Sequence, residues 1–269
     1  MAKVSGMVST LLHHGKIDLA VIWTKNNNGK TYQVRTAGNS VRLYTNGVFH
    51  SQYNPKRPFS GQVWDLLSLP SLFFNRDKKP KRILLLGVGG GAAIKQLIFL
   101  NNPKTLYGVE LDKTHLSIAK RFFKVNNSKS IKLFHEDAIK WVNEYQGEKF
   151  DYIVDDLFSD YESQPARAIN ADSRWMKKLD RLLSIDGILV CNFADKEELS
   201  DSGYFTNKAL KKRFACAFQL STPHTYNRIA IFCKKTLTAN SLKNNIRQEA
   251  KANPTFSEKE LRFAIRKLK

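Results

Sequence analysis

The stretch Lys81-Arg-Ile-Leu-Leu-Leu-Gly-Val-Gly-Gly-Gly-Ala-Ala-Ile-Lys-Gln-Leu97, followed by Leu106-Tyr-Gly-Val-Glu-Leu-Asp112, decides the fold. Ile83 to Leu86 run apolar without alternation, which predicts a strand covered on both faces in a parallel sheet. Gly87, Gly89 and Gly91 then form a G-x-G-x-G turn, and Ala93, Leu97 and Leu100 are spaced as one face of a helix over Ala92 to Leu100. Glycines at such a turn let the backbone approach a ligand and point free N–H groups at it. The next strand, Thr105 to Val109, ends in Glu110, about twenty residues beyond the turn, where a carboxylate can accept from the two hydroxyls of a ribose. A glycine trio alone also suits any tight strand-to-helix turn; Glu110 in register turns the reading toward a nucleoside site.

At 269 residues with 42% hydrophobic content, the chain can hold one sizeable core and a smaller appendage. It has no run of membrane-spanning length and no secretory start, so a cytoplasmic protein without a membrane partner is expected. Cys191, Cys216 and Cys233 sit in apolar, strand-like surroundings without metal-ligand spacing; they are expected to be buried structural thiols, and no metal is expected. The net charge of +20 is uneven: residues 1–60 carry eight Lys/Arg against the single carboxylate Asp18, while most acids lie between Glu110 and Asp201. The basic ends are compatible with nucleic acid or an anionic acceptor, and equally with simple solubility.

Along the chain, residues 1–16 are expected to form a loose arm or short helix. Leu19–Trp23, Thr31–Ala37 and Ser40–Tyr44 are expected to be strands joined by Asn-Gly turns, a small antiparallel β-subdomain. Asn54-Pro55-Lys56-Arg57-Pro58 is a linker. Beyond it, strands at Ile131–Phe134, Phe150–Val154, Gly187–Phe193, Ala215–Leu220 and Arg228–Cys233 join the first two, with helices at 113–124, 138–145, 173–183 and 207–214. The expected fold is α/β, a doubly wound, Rossmann-like seven-stranded sheet with an antiparallel edge. Leu261, Ala264, Ile265 and Leu268 suggest a helical stripe in a basic tail. The expected domain boundaries are 1–58 for arm and hairpins, 59–237 for the nucleoside-binding domain and 238–269 for a basic C-terminal extension.

Ligands in such sheets gather at the carboxyl ends of the strands. The candidates there are the glycine turn, Glu110 with Leu111, the segment His135-Glu136-Asp137-Ala138, and Asp155-Asp156. Asp137 and Ala138 would lie beside a base, although Asp137 also reads as a plain helix cap.

These motifs, together with Asp151-Tyr-Ile-Val-Asp-Asp-Leu-Phe-Ser-Asp160, resemble the spermidine-synthase-like branch of the class I S-adenosylmethionine methyltransferase fold. The resemblance runs from about residue 20 to about Lys235. It implies that Gly87, Gly89, Gly90 and Gly91 hold the methionine-derived tail of the cofactor, that Glu110 binds ribose and Asp137 adenine, and that Asp156 orients and deprotonates the attacking group. Asp155 and Tyr161 are its candidate neighbours. It also implies a homo-oligomer, commonly a dimer.

Two departures from the polyamine synthases are visible. Those enzymes carry an aspartate where Gly90 stands, favouring decarboxylated S-adenosylmethionine. A carboxylate ~4 Å from that of the intact cofactor would cost about 4 kcal/mol at an effective dielectric of ~20. Where they have an acidic polyamine entrance, this chain has Lys56 and Arg57. The expectation is therefore an S-adenosylmethionine-dependent methyltransferase of undetermined acceptor. The alternatives are aminopropyl transfer from decarboxylated S-adenosylmethionine to a polyamine and, more distantly, a nucleic-acid-associated protein built on a nucleoside-binding fold.

Overall fold

The computed structural model describes residues 20–161 and 164–269, apart from the side chains of 159–165. The expected arm over residues 1–16, and Leu19, lie outside the described residues. Strands β1 (Ala20–Asn27), β2 (Lys30–Ala37), β3 (Ser40–Thr45) and β4 (Val48–Tyr53) form an antiparallel meander in chain order. Asn28-Gly29 and Asn46-Gly47 close two of its hairpins with positive φ at both residues, the geometry that matches strand twist.

The main sheet contains β5 (Arg82–Leu86), β6 (Thr105–Glu110), β7 (Ile131–His135) and β8 (Phe150–Asp155). After a small hairpin of β9 (Phe158–Tyr161) and β10 (Gln164–Arg167), it continues with β11 (Leu183–Phe193), β12 (Cys216–Ser221), β13 (Arg228–Cys233) and β14 (Ala264–Lys267). Its order is β14-β12-β13-β11-β8-β5-β6-β7. Pairings from β7 to β11 are parallel, and those of β13, β12 and β14 are antiparallel. The seven expected strands are thus present in a doubly wound order with an antiparallel edge, and β14 extends that edge.

Helices cover both faces: α1 (Val63–Ser68), α2 (Ala92–Asn101), α3 (Lys113–Arg121), α4 (Ala138–Glu144) and α5 (Ser173–Leu182) matter for the site. Asp112, Asp137 and Asp172 start the last three by accepting from backbone N–H groups of the first turn. The apolar runs are explained by the two cores. Ile83, Leu85, Tyr152, Val154, Ile188 and Val190 pack into one, and Leu84, Leu86, Ile153, Leu189 and Cys191 into the other, so alternate residues of each strand face opposite layers. The three cysteines are free and buried. Among the described residues no helix is long and apolar enough to cross a membrane.

Two expectations are corrected. The basic segment 207–214 is helical only over Lys208–Lys211. Beyond the helix Ala239–Ala252, Ala264 and Ile265 of the expected helical stripe instead belong to β14, where Ile265 pairs with Leu220. The open edge of β12 offers unpaired N–H and C=O groups, and satisfying them outweighs a weak apolar period.

Candidate active site

A cavity of about 460 Å³ lies at the carboxyl ends of β5, β6, β8 and β11, with the meander as its roof. Its floor begins at the glycine turn. Gly87, Gly89 and Gly91 have φ of 85°, 52° and 88°. A Cβ on Gly87 would stand 2.2 Å from the Asp156 carbonyl oxygen, so only glycine lets the turn meet the end of β8. Gly90 does not line the cavity; a side chain there would meet Phe123 and Ser51 at 2.7 Å. Gly91 likewise faces Val125.

Glu110 braces the turn. Its Oε2 accepts from Val88 N and Gly89 N, both at 2.9 Å, and its Oε1 from Asp112 N at 2.8 Å. A carboxylate offers about four lone-pair positions, so one on Oε1 remains for a ribose hydroxyl. Leu111, 67% exposed, and Ile139 supply apolar surface in the same region. Asp137 caps α4 through Oδ1, which accepts from Ile139 N and Lys140 N; its Oδ2 takes no part in the cap, and Asp137 and Ala138 both line the cavity. The residues present therefore fit an adenosine-type group.

At the other end stands Asp156. Burial, with the neighbouring Asp155 charge, pushes its carboxyl up to about 6, against the Asn192 amide, which donates to Oδ1 at 2.7 Å, and the more distant Arg167 and His50. Asn227 donates in turn to the Asn192 carbonyl at 2.9 Å. Asp155 points away from the cavity. Fully buried, it pairs with Arg167 at 2.7 Å and accepts from the Trp175 indole at 2.9 Å. Arg167 also donates to the Asn192 carbonyl oxygen of the backbone. Asp155 thus holds the element that holds Asn192. Tyr161 ends β9, and its side chain lies outside the described residues.

The roof adds a network the sequence did not announce. Tyr32 of β2 donates to Asp112 at 2.6 Å, and the Thr45 hydroxyl of β3 lies 2.8 Å from His115 Nε2. Burial pulls the His115 imidazole below its ordinary range, against the attraction of Glu110. Only folding brings these residues together; for Asn192 a signal existed, an amide closing the apolar run Ile188–Phe193 at a strand's carboxyl end. Lys56 and Arg57 do not line the cavity, and Arg57 is paired with Glu260 at 2.6 Å. No group of His, Cys, Asp and Glu among the described residues could hold a metal ion.

The chain is similar to a polyamine aminopropyltransferase of Vibrio vulnificus, 29% identical over 150 residues, which are 55% of this chain and 48% of that protein. It spans about half the length, or less, of the first curated relatives it matches. Among solved structures it is similar to a probable spermidine synthase from Corynebacterium glutamicum (TM-score 0.68, 16% identity, 85% of this chain and 87% of that one). It is also similar to the spermidine synthase of Thermotoga maritima (TM-score 0.63, 14% identity, 90% and 87%). The curated relatives, which are polyamine aminopropyltransferases, and the family match overturn the expectation of a methyltransferase. Both departures that suggested it lose their force in the structure, since Gly90, Lys56 and Arg57 all lie outside the cavity lining. Residues 69–247 match the spermine/spermidine synthase domain, two thirds of the chain, and the chain belongs to that family.

Proposed function

We propose that this chain is a polyamine aminopropyltransferase that takes its three-carbon amine from decarboxylated S-adenosylmethionine. One observation carries the reading: in a chain of net charge +20, the cavity is lined by four carboxylates, Glu110, Asp112, Asp137 and Asp156, against the single lysine Lys30. Such a field suits a sulfonium with a free ammonium tail and a cationic acceptor, and opposes the carboxylate of the intact cofactor. Selection between the two cofactors then rests on the lining rather than on position 90.

The sulfonium supplies an activated carbon when bound. Attack by a neutral amine forms the N–C bond, the C–S pair leaves with sulfur as a thioether, and the surplus proton on nitrogen must be taken up. Asp156 is the group to accept it. With its carboxyl at about 6 it is ionised at neutral pH and still basic enough to help. Asn192 fixes one of its oxygens and aims the other. Holding two reactants in line supplies much of the rate.

The test is a calorimetric titration with intact and with decarboxylated S-adenosylmethionine, followed by an assay of methylthioadenosine release in the presence of diamines. Tighter binding of the decarboxylated form and amine-dependent release are expected. Preference for the intact form, or binding without release under any amine, would sink the reading.

A further inference from the structure

A second cleft, of about 660 Å³, lies at the opposite end of the parallel strands, around Lys149 just before β8 and Leu183–Ile185 at the start of β11. It shares no residue with the active-site cavity. Five cations line it, Lys149, Lys177, Arg181, Arg213 and Lys234, against the single carboxylate of Asp180. That carboxylate is already committed: its side chain is 1% exposed and pairs with both Arg213 and Lys234. Arg181 donates to the Val142 carbonyl oxygen at 2.7 Å.

Three of the five cations are therefore anchored by the protein, unlike the freely moving lysines of an ordinary solvated face. Anchored cations lose less conformational entropy on meeting an anion, and guanidinium groups match phosphate oxygens in pairs. The Coulomb cost of holding five cations together is only partly met by one buried carboxylate. A ligand with a single charge would leave most of it unmet; one with adjacent phosphates would not.

We propose that this cleft is a binding site for a ligand carrying adjacent phosphates, either a free oligophosphate or the backbone of a nucleic-acid strand. The site is independent of the transferase reading, because it stands at the opposite end of the strands. Ligands there leave the sulfonium pocket open.

The experiment uses the whole chain with two probes, sodium tripolyphosphate by calorimetry and a labelled single-stranded 12-mer by anisotropy. Both are repeated on the double variant Lys149→Glu/Lys177→Glu, two exposed positions, and on Lys120→Glu/Lys132→Glu, exposed lysines outside the cleft. Circular dichroism confirms that each variant is folded. The cleft variant is expected to lose about tenfold or more in affinity while the control stays within about twofold. For the 12-mer, its salt slope should be shallower by about 1.4, roughly 0.7 for each phosphate of the single strand that is no longer neutralised. Tripolyphosphate binding that competes with the 12-mer identifies a local phosphate site. Binding of the 12-mer alone identifies a strand backbone. Failure of both probes at 50 mM salt, or equal losses in cleft and control variants, would overturn the proposal.

Discussion

Asp156 carries opposite demands. The native state holds its proton up to about pH 6, whereas the unfolded chain releases it near 3.8. Between those values the folded state binds more protons, so stability falls as pH rises from about 4 to about 6 and is level above. Asp156→Asn keeps an acceptor for Asn192 and removes the buried charge. It is expected to lower kcat about 10²- to 10⁴-fold while raising the denaturation midpoint at pH 7; loss of stability alongside activity would show that the carboxylate is structural. In the wild type, kcat/KM should rise with pH through an apparent pKa near 6. Asn192→Ala removes a hydrogen bond to the ionised form and should move that limb upward. Asp155 behaves differently, since its loss leaves the buried Arg167 to the longer pair with Glu198 at 3.5 Å. Asp155→Ala is expected to cost about 3–5 kcal/mol in urea denaturation, with any loss of rate following from the displaced Asn192.

At the level of elements, the linker is positioned by a clamp. Asp65 of α1 accepts from Ser60 N and Gly61 N through Oδ2 and from the Gln96 amide of α2 through Oδ1. Gln96 also donates to the Pro58 carbonyl oxygen. This sets the course of Gln62, Val63 and Trp64, which line the cavity. Asp65→Ala leaves these donors without an acceptor and is expected to cost roughly 2–4 kcal/mol and to raise KM more than it lowers kcat, measured by denaturation and steady-state kinetics. Burial also raises Asp65 to about 6, so it titrates in the same window as Asp156. Such a clamp is invisible in sequence, because its partners are 4 to 38 residues apart. What could be read was local: the apolar run of β5, the glycines after it, and the acids at strand ends. Glu110, Asp137 and Asp156 are all brought to one cavity. Their partners could not be read, and neither could the β9–β10 hairpin, a short pairing of Phe158–Tyr161 with Gln164–Arg167. Gly90 misled for a related reason: in a tight turn, neighbouring residues point in opposite directions, and its direction is toward Phe123.

Across the whole molecule, the C-terminal segment returns to the linker. Leaving the helix Ala239–Ala252, it lays Phe256 edge-on against Phe59 with ring centroids 4.9 Å apart, pairs Glu260 with Arg57, and closes the sheet as β14. Phe59 and Phe256 belong to the same core that holds β5 and the roof residues Tyr32 and Leu43. The linker is therefore gripped from both sides, by Asp65 and Gln96 within and by the C-terminal segment without. A sequence reading tied to local periodicity makes this segment a tail, yet its burial makes it a brace. Phe256→Ala empties a site only 2% exposed and is expected to cost about 3–5 kcal/mol. If the brace matters to the cavity, hydrogen exchange at Gln62 to Trp64 should quicken in this variant under conditions where the β5 amides stay protected. Leu268→Ala, at the far end of β14 and in the other core, should lower stability without that local change. Equal exchange in both variants would mean that the segment stabilises the sheet but does not position the linker.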